Sequence, residues 1–211
     1  MKPVVYLYPP GNESLDVDVR VELAPTQAYF TAFIPTPTEG SLQTRAAAWR
    51  VRAVADGTLT PLMRNAHPPV ASLFWESVEA VGANAIAGLL PEDGAGCFSV
   101  PGAELGDWLL HALPALGLTV REYTEMATFW AVKLGGHAHV VLRFLSAAET
   151  EAYVSTLLVH PQPQTIIRVF LLARGATAPP AAAICGQSPD AALAPARVGF
   201  TAVEWGGAEV L

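Results

Sequence analysis

The chain has 211 residues and a formal net charge of −7, and 52% of its residues are hydrophobic against 15% charged. It is more apolar than an average domain, in which roughly 25% of residues are charged, so it can bury a large core without disulfide support. Its acidic balance and scattered basic residues exclude non-specific nucleic-acid binding, and the sequence has no apolar run of about 18 residues that would predict a transmembrane segment.

Alternating apolar and polar residues predict β-strands in the first third of the chain. The clearest alternation is Ser14–Leu23, in which the polar residues Asp16 to Glu22 share one face. We interpret that face as a solvated strand surface and not as a metal site. The Asp56-Gly57 pair predicts a hairpin, and Pro61 places the returning strand at a sheet edge. Further strands are predicted at Pro3–Tyr8, Gln27–Ile34, Ala47–Val54 and Val70–Trp75.

Two helices are predicted between residues 102 and 134. The first carries apolar residues at i, i+3 and i+4, and Gly117 suits the position just after its end. The second begins at Thr119, which forms a capping box with Glu122, and it runs to about Leu134. These two central helices should cover a sheet.

The last third returns to β-structure. Strands are predicted at Cys97–Val100 before the helices, and at His137–Leu145, Thr156–Val159, Thr165–Ala173 and residues 198–207 after them. Residues 175–197 are rich in Ala and Pro and are predicted to form a loop-like segment. Because strands rarely alternate with helices, we expect one α+β domain over residues 1–211. It should contain mainly antiparallel β-sheets, or a sandwich, with two central helices packed on the sheet.

Seven segments spread over nearly the whole chain carry one further pattern. They are Lys2–Pro9, Trp49–Leu59, Ser72–Glu76, Cys97–Val100, Leu116–Trp130, Pro161–Phe170 and Gly199–Gly207. Together they resemble a family of uncharacterised bacterial proteins with a KPVIYLYP-like start, a YLFWE-like centre and a GFTxVEWGG end. The resemblance implies no particular activity, and many relatives look exported or lipid-anchored. The apolar run near the start, Pro3–Tyr8, is too short to be the apolar region of a signal peptide. We therefore expect a cytoplasmic protein as numbered, or an exported one if a leader has been removed.

Three glutamates are weak candidates for catalysis. Glu122 and Glu125 lie one turn apart on the second helix, and Glu76 follows two aromatic residues. Paired carboxylates can serve a glycosidase when they flank the scissile bond. The competing interpretation is that Glu122 only caps its helix.

Arg168 stands inside an apolar strand, where a lone charge is rarely unpaired. We predict that it pairs with Glu76, Glu122, Glu125 or Glu204. The pair could tie sheet to helix, or it could form the polar floor of a pocket walled by aromatic side chains. The predicted binding residues are therefore Trp75, Glu76, Glu125, Trp130, Arg168, Glu204 and Trp205.

His137 and His139 are two apart in a predicted strand and are weak candidates for metal ligands. Cys97 and Cys185 have no metal-like spacing. They are expected to be two inert thiols, with a single disulfide as the alternative. The sequence has no nucleotide-binding or nucleophile motif, so we expect no cofactor.

These features favour a non-enzymatic β-rich module that binds an unknown small molecule or a protein partner. The alternative is a hydrolase that uses Glu76, Glu122 and Glu125, with a saccharide as the candidate substrate. A third interpretation is that the aromatic residues only fill the core and that function lies on exposed loops. The apolar composition also makes a homo-oligomer plausible.

Overall fold

The computed structural model describes residues 1–63, 67–80, 85–189 and 195–210. Its strands are β1 (Val4–Tyr8), β2 (Leu15–Leu23), β3 (Gln27–Ile34), β4 (Ala46–Ala53), β5 (Leu59–Pro61), β6 (Leu73–Glu79), β7 (Phe98–Pro101), β8 (His139–Leu145), β9 (Ser155–His160), β10 (Thr165–Ala176), β11 (Ile184–Cys185) and β12 (Thr201–Glu209). Its α-helices are α1 (Leu105–Ala112), α2 (Val120–Leu134) and α3 (Ala147–Tyr153). Short 3-10 helices lie at Ala87–Leu89, Gly102–Glu104 and Pro114–Leu116.

The strands form two sheets. One is a mixed sheet of eight strands in the order β11-β7-β8-β10-β12-β1-β6-β3, and the other is an antiparallel sheet of four strands in the order β5-β4-β2-β9. The predicted α+β class is confirmed. Pro61 lies in β5, so its predicted place in an edge strand is also confirmed.

The chain divides into two compact units. The first comprises Met1–Ala83, Ser146–Arg168 and Arg197–Trp205, and the second comprises Asn84–Leu145, Val169–Ala196 and Gly206–Leu211. Strands β10 and β12 each contribute residues to both units. This division does not test whether the two units form one domain, so the single domain over residues 1–211 stays a prediction.

Within the first unit the two sheets face each other. The alternating apolar residues of β2 and β4 point inward, while Asp16, Asp18 and Arg20 are exposed, as predicted for that strand. Phe33 of β3 packs edge-to-face on Trp49 of β4, with ring centroids 5.6 Å apart. The alternation of apolar and polar side chains in β2 and β4 therefore gives the smaller sheet a buried face toward the larger sheet and a solvent-exposed outer face.

Within the second unit the helices pack on the sheet. The buried side of α2 comprises Glu122, Met126, Ala127, Trp130 and Leu134. Gly207 of β12 lies directly under the Trp130 ring, since a Cβ added there would stand 2.3 Å from Trp130 Cζ2. Gly117 has the left-handed φ of +89° that its predicted role requires, but it ends the 3-10 helix Pro114–Leu116, because α1 already ends at Ala112.

Residues 175–197 are less loop-like than predicted. The segment includes the end of β10 and the short strand β11, which pairs with β7 in parallel. Trp108 Nε1 donates a 2.8 Å hydrogen bond to the Gln187 carbonyl. The sequence pattern could not predict β11, because a strand of two residues is too short to show an alternation of apolar and polar side chains. Residues 190–194 lie outside the described part of the chain.

Candidate functional site

Arg168 forms a buried ion pair with Glu204 in the first unit. Its Nε and Nη2 atoms both lie 2.7 Å from Glu204 Oε2, and the two side chains are 9% and 2% exposed. Nη2 also donates to the carbonyl and to the hydroxyl of Ser155, at 2.9 and 3.1 Å. The prediction that Arg168 pairs with one of four glutamates is confirmed, with Glu204 as the partner. Because Ser155 belongs to β9, the guanidinium joins the two sheets of this unit.

The three tryptophans predicted to wall a pocket are buried. Trp75, Trp130 and Trp205 are each at most 1% exposed. Trp205 Nε1 donates to the Tyr6 hydroxyl at 3.2 Å, and Trp75 packs edge-to-face on Phe30. No face of these rings is open to a ligand, so the tryptophans contribute to core packing.

The two glutamates of α2 have different environments. Glu122 is fully buried, and its Oε2 accepts the Thr119 backbone N–H at 2.7 Å in the predicted capping box. Glu125 is exposed on the helix surface. Helix α2 therefore exposes the Glu125 carboxylate to solvent and buries the Glu122 carboxylate, so the two do not form an exposed pair of acids.

Replacing Glu122 with alanine should lower the free energy of unfolding by about 1 kcal/mol, because the cap is lost. Glu125→Ala is the matched control on the same helix, and it should stay within about 0.5 kcal/mol of the parent. Urea denaturation followed by circular dichroism measures both. Equal effects of the two variants would contradict the capping role.

Glu76 lies in β6 of the first unit. It is half-buried, stands opposite Ala32 of β3 and points away from the face that buries Trp75. Glu122 and Glu125 belong to the second unit. The structure describes no open pair of these candidate acids within either unit.

The predicted histidine pair does not form as expected. β8 begins at His139, so His137 lies before the strand, and the prediction that both histidines belong to one strand is wrong. The His137 ring instead lies beside Gly175, where a Cβ would come within 2.3 Å of Nδ1. Among the described residues no group of three or more His, Cys, Asp or Glu side chains is placed to hold a metal ion.

Both cysteines are free thiols, so the alternative of a disulfide between them is not what the structure shows. Cys97 is buried and Cys185 is exposed. Burial raises the pKa of the Cys97 thiol above its ordinary value. A raised pKa disfavours the thiolate, so Cys97 is a poor nucleophile.

A groove of about 740 Å³ crosses the outer face of the four-stranded sheet. Its floor is formed by two rows of paired residues on β4, β2 and β9: Arg50, Asp18 and His160 in one row, and Ala48, Arg20 and Leu158 in the next. Thr38 and Glu39 line it beside β4, and Gln162, Pro163 and Ile166 line it beyond β9. The small side chain of Ala48 leaves space in the floor between the charged residues.

Arg20 in the groove floor pairs closely with Glu22, at 2.7 Å, but the pair between Arg50 and Asp18 is loose. Arg50 and Asp18 are 3.7 Å apart and their side chains are 60% and 59% exposed. Next to the groove, Arg52 makes two hydrogen bonds with Asp16 at 2.7 and 3.1 Å. That contact holds the pKa of Asp16 below its ordinary value. Of these ion pairs, the one between Arg50 and Asp18 is therefore the freest to exchange a partner for a ligand.

Sequence reasoning identified the charged face but not the groove. The strand alternation predicts that the polar residues of β2 are solvated. Thr38 and Gln162 stand far from β2 in the sequence, and no local pattern shows that they come to line the same surface.

Comparison with protein-family models, with curated proteins and with solved structures finds no match for the chain. None of the described helices is long and apolar enough to cross a membrane.

Proposed function

We propose that the protein is a non-enzymatic binding module that holds its ligand in the groove on the four-stranded sheet. The observation that carries the proposal is the volume of about 740 Å³ with exposed charges of both signs in its floor. Ligand sites commonly enclose roughly 300–1,000 Å³. The predicted membership of the KPVIYLYP-like family stays a prediction and names no competing activity.

The groove chemistry favours a ligand with three parts. The Arg50 guanidinium suits a carboxylate or phosphate group, and the Asp18 carboxylate suits an amine or hydroxyl. Leu158 and Ile166 are 49% and 45% exposed and offer an aliphatic surface. A short peptide with free ends carries all three kinds of group.

The alternative, hydrolysis by carboxylates, has less support. Such chemistry needs two carboxyl groups open to the substrate and about 5–10 Å apart. Glu122 is buried and accepts a hydrogen bond from a backbone amide, so it does not offer substrate a second exposed carboxylate beside Glu125.

A library of tripeptides with free ends should raise the melting temperature of the protein, because binding to the folded state stabilises it. Arg50→Ala should weaken the best hit about tenfold or more, since hydrogen bonds to charged groups contribute about 1.5–3 kcal/mol. Isothermal titration measures the affinity.

Arg52→Ala is the matched control, because Arg52 lies on the same exposed face of β4 but does not line the groove. It should bind the same peptide as tightly as the parent. A flat thermal shift with every peptide, or equal losses in both variants, would argue against the groove as the site.

A further inference from the structure

The two sheets have four edge strands, and three of them are protected against pairing with another chain. β11 has only two residues. β5 has three, and one of these is Pro61. The backbone of Leu59 also exchanges two 2.8 Å hydrogen bonds with Val70. Short strands and prolines are common devices that blunt a sheet edge.

β3 is protected by a neighbouring segment of its own chain. The Arg45 guanidinium donates to the carbonyls of Gln27 and Ala28. The Phe30 backbone donates to Thr44 and accepts from Gln43, at 3.0 and 2.9 Å. The edge groups of β3 are thus partly satisfied within the chain.

β9 is the exception. It has six residues, contains no Asp, Glu, Lys or Arg, and ends its sheet with β2 as its one neighbour in the described strand order. Leu157 and Val159 are half-buried and Leu158 is 49% exposed. The Ser155 carbonyl at the start of β9 accepts from Arg168 Nη2, but the stretch from Leu157 to Val159 is apolar and uncharged, and such an edge favours addition of another strand. The groove on the outer face of the sheet extends over the β9 residues 157–160, and Gln162, Pro163 and Ile166 line it at this end.

From Thr156 to His160 the order of polar and apolar residues in β9 is the same in both chain directions. In an antiparallel pair centred on Leu158, that leucine faces its own copy, Leu157 faces Val159, and Thr156 faces His160. Apolar residues then meet apolar residues and polar residues meet polar ones, which are the favourable cross-strand pairs. Centring the pair on Leu157 would instead set Thr156 against Leu158 and Ser155 against Val159.

We propose that β9 pairs antiparallel with β9 of a second copy of this chain, about a two-fold axis at Leu158. The contact is isologous, as in most homodimers. It would join two four-stranded sheets into one sheet of eight strands. This inference goes beyond the proposed function and does not depend on a ligand.

The pairing would also lengthen the groove. Arg20 and Leu158 are neighbours in the groove floor, and Leu158 of the second copy would continue the same row. Each copy would then contribute its β9 side chains to the other's groove.

Light scattering after size exclusion should give a dimer whose fraction changes with concentration over a roughly hundredfold range, as mass action requires. Leu158→Lys should raise the dimer dissociation constant about a hundredfold or more, because it sets like charges face to face. Ile34→Lys is the matched control, since Ile34 is 60% exposed in the protected edge strand β3. It should leave the dimer intact. Circular dichroism confirms that both variants fold.

Cysteine cross-linking tests the register. In a Cys185→Ser background, Leu158→Cys should form a disulfide-linked dimer under mild oxidation, because residues directly opposite in a pair have Cβ atoms about 4.5–5.5 Å apart. Leu157→Cys should form little, since it faces Val159. A parent that is monomeric at every concentration would overturn the proposal and leave the β9 edge to a strand of another protein. Cross-linking through position 157 alone would overturn the register.

Discussion

Arg168→Ala is expected to lower the free energy of unfolding by about 3–5 kcal/mol, because it leaves the Glu204 carboxylate buried and unpaired. The Glu204 side chain is 2% exposed, and its carboxylate accepts hydrogen bonds from the Arg168 guanidinium of β10. The substitution also removes the hydrogen bonds to Ser155 that join the two sheets of the first unit. Urea denaturation should show a large fall in the midpoint.

A double replacement separates the charge from the packing. Arg168→Met with Glu204→Leu removes both charges and keeps similar volumes, so it should cost far less than Arg168→Ala alone. If Arg168→Ala stays within 1 kcal/mol of the parent, the buried pair does not stabilise the fold as inferred.

Gly207→Ala is expected to cost about 1–3 kcal/mol, because the core under α2 is already filled. The added Cβ would stand 2.3 Å from Trp130 Cζ2 and 2.6 Å from the Leu171 carbonyl oxygen. Trp130 is 1% exposed, so the ring has little room to withdraw. Thermal unfolding should show a lower melting temperature.

Gly136→Ala is the control for a glycine substitution as such. A Cβ at Gly136 meets nothing within 4 Å, so this variant should match the parent within about 0.5 kcal/mol. Equal melting temperatures for Gly207→Ala and the parent would contradict the close packing of Trp130 on β12.

The errors at element ends have physical causes. The strand predicted at Val70–Trp75 is β6, which runs from Leu73 to Glu79. Its second half buries Ser77, whose hydroxyl donates to Gln27 Oε1 at 3.0 Å. Ser77 and Gln27 are 50 residues apart in the sequence, and their hydrogen bond lets two polar side chains be buried. A buried polar residue interrupts the hydrophobic pattern of the strand, so the predicted strand ends before the observed one.

Local chemistry alone determined the strand alternation of β2, the capping box of α2 and the need of Arg168 for a partner. These follow from the side-chain period, from backbone groups at helix ends and from the cost of a buried charge. Only the tertiary structure chose Glu204 among four acids, buried all three tryptophans and set Gln162 beside the charged face of β2. It also left β9 at an uncharged edge. These outcomes depend on which strands become neighbours, and contacts between distant segments leave no local pattern in the sequence.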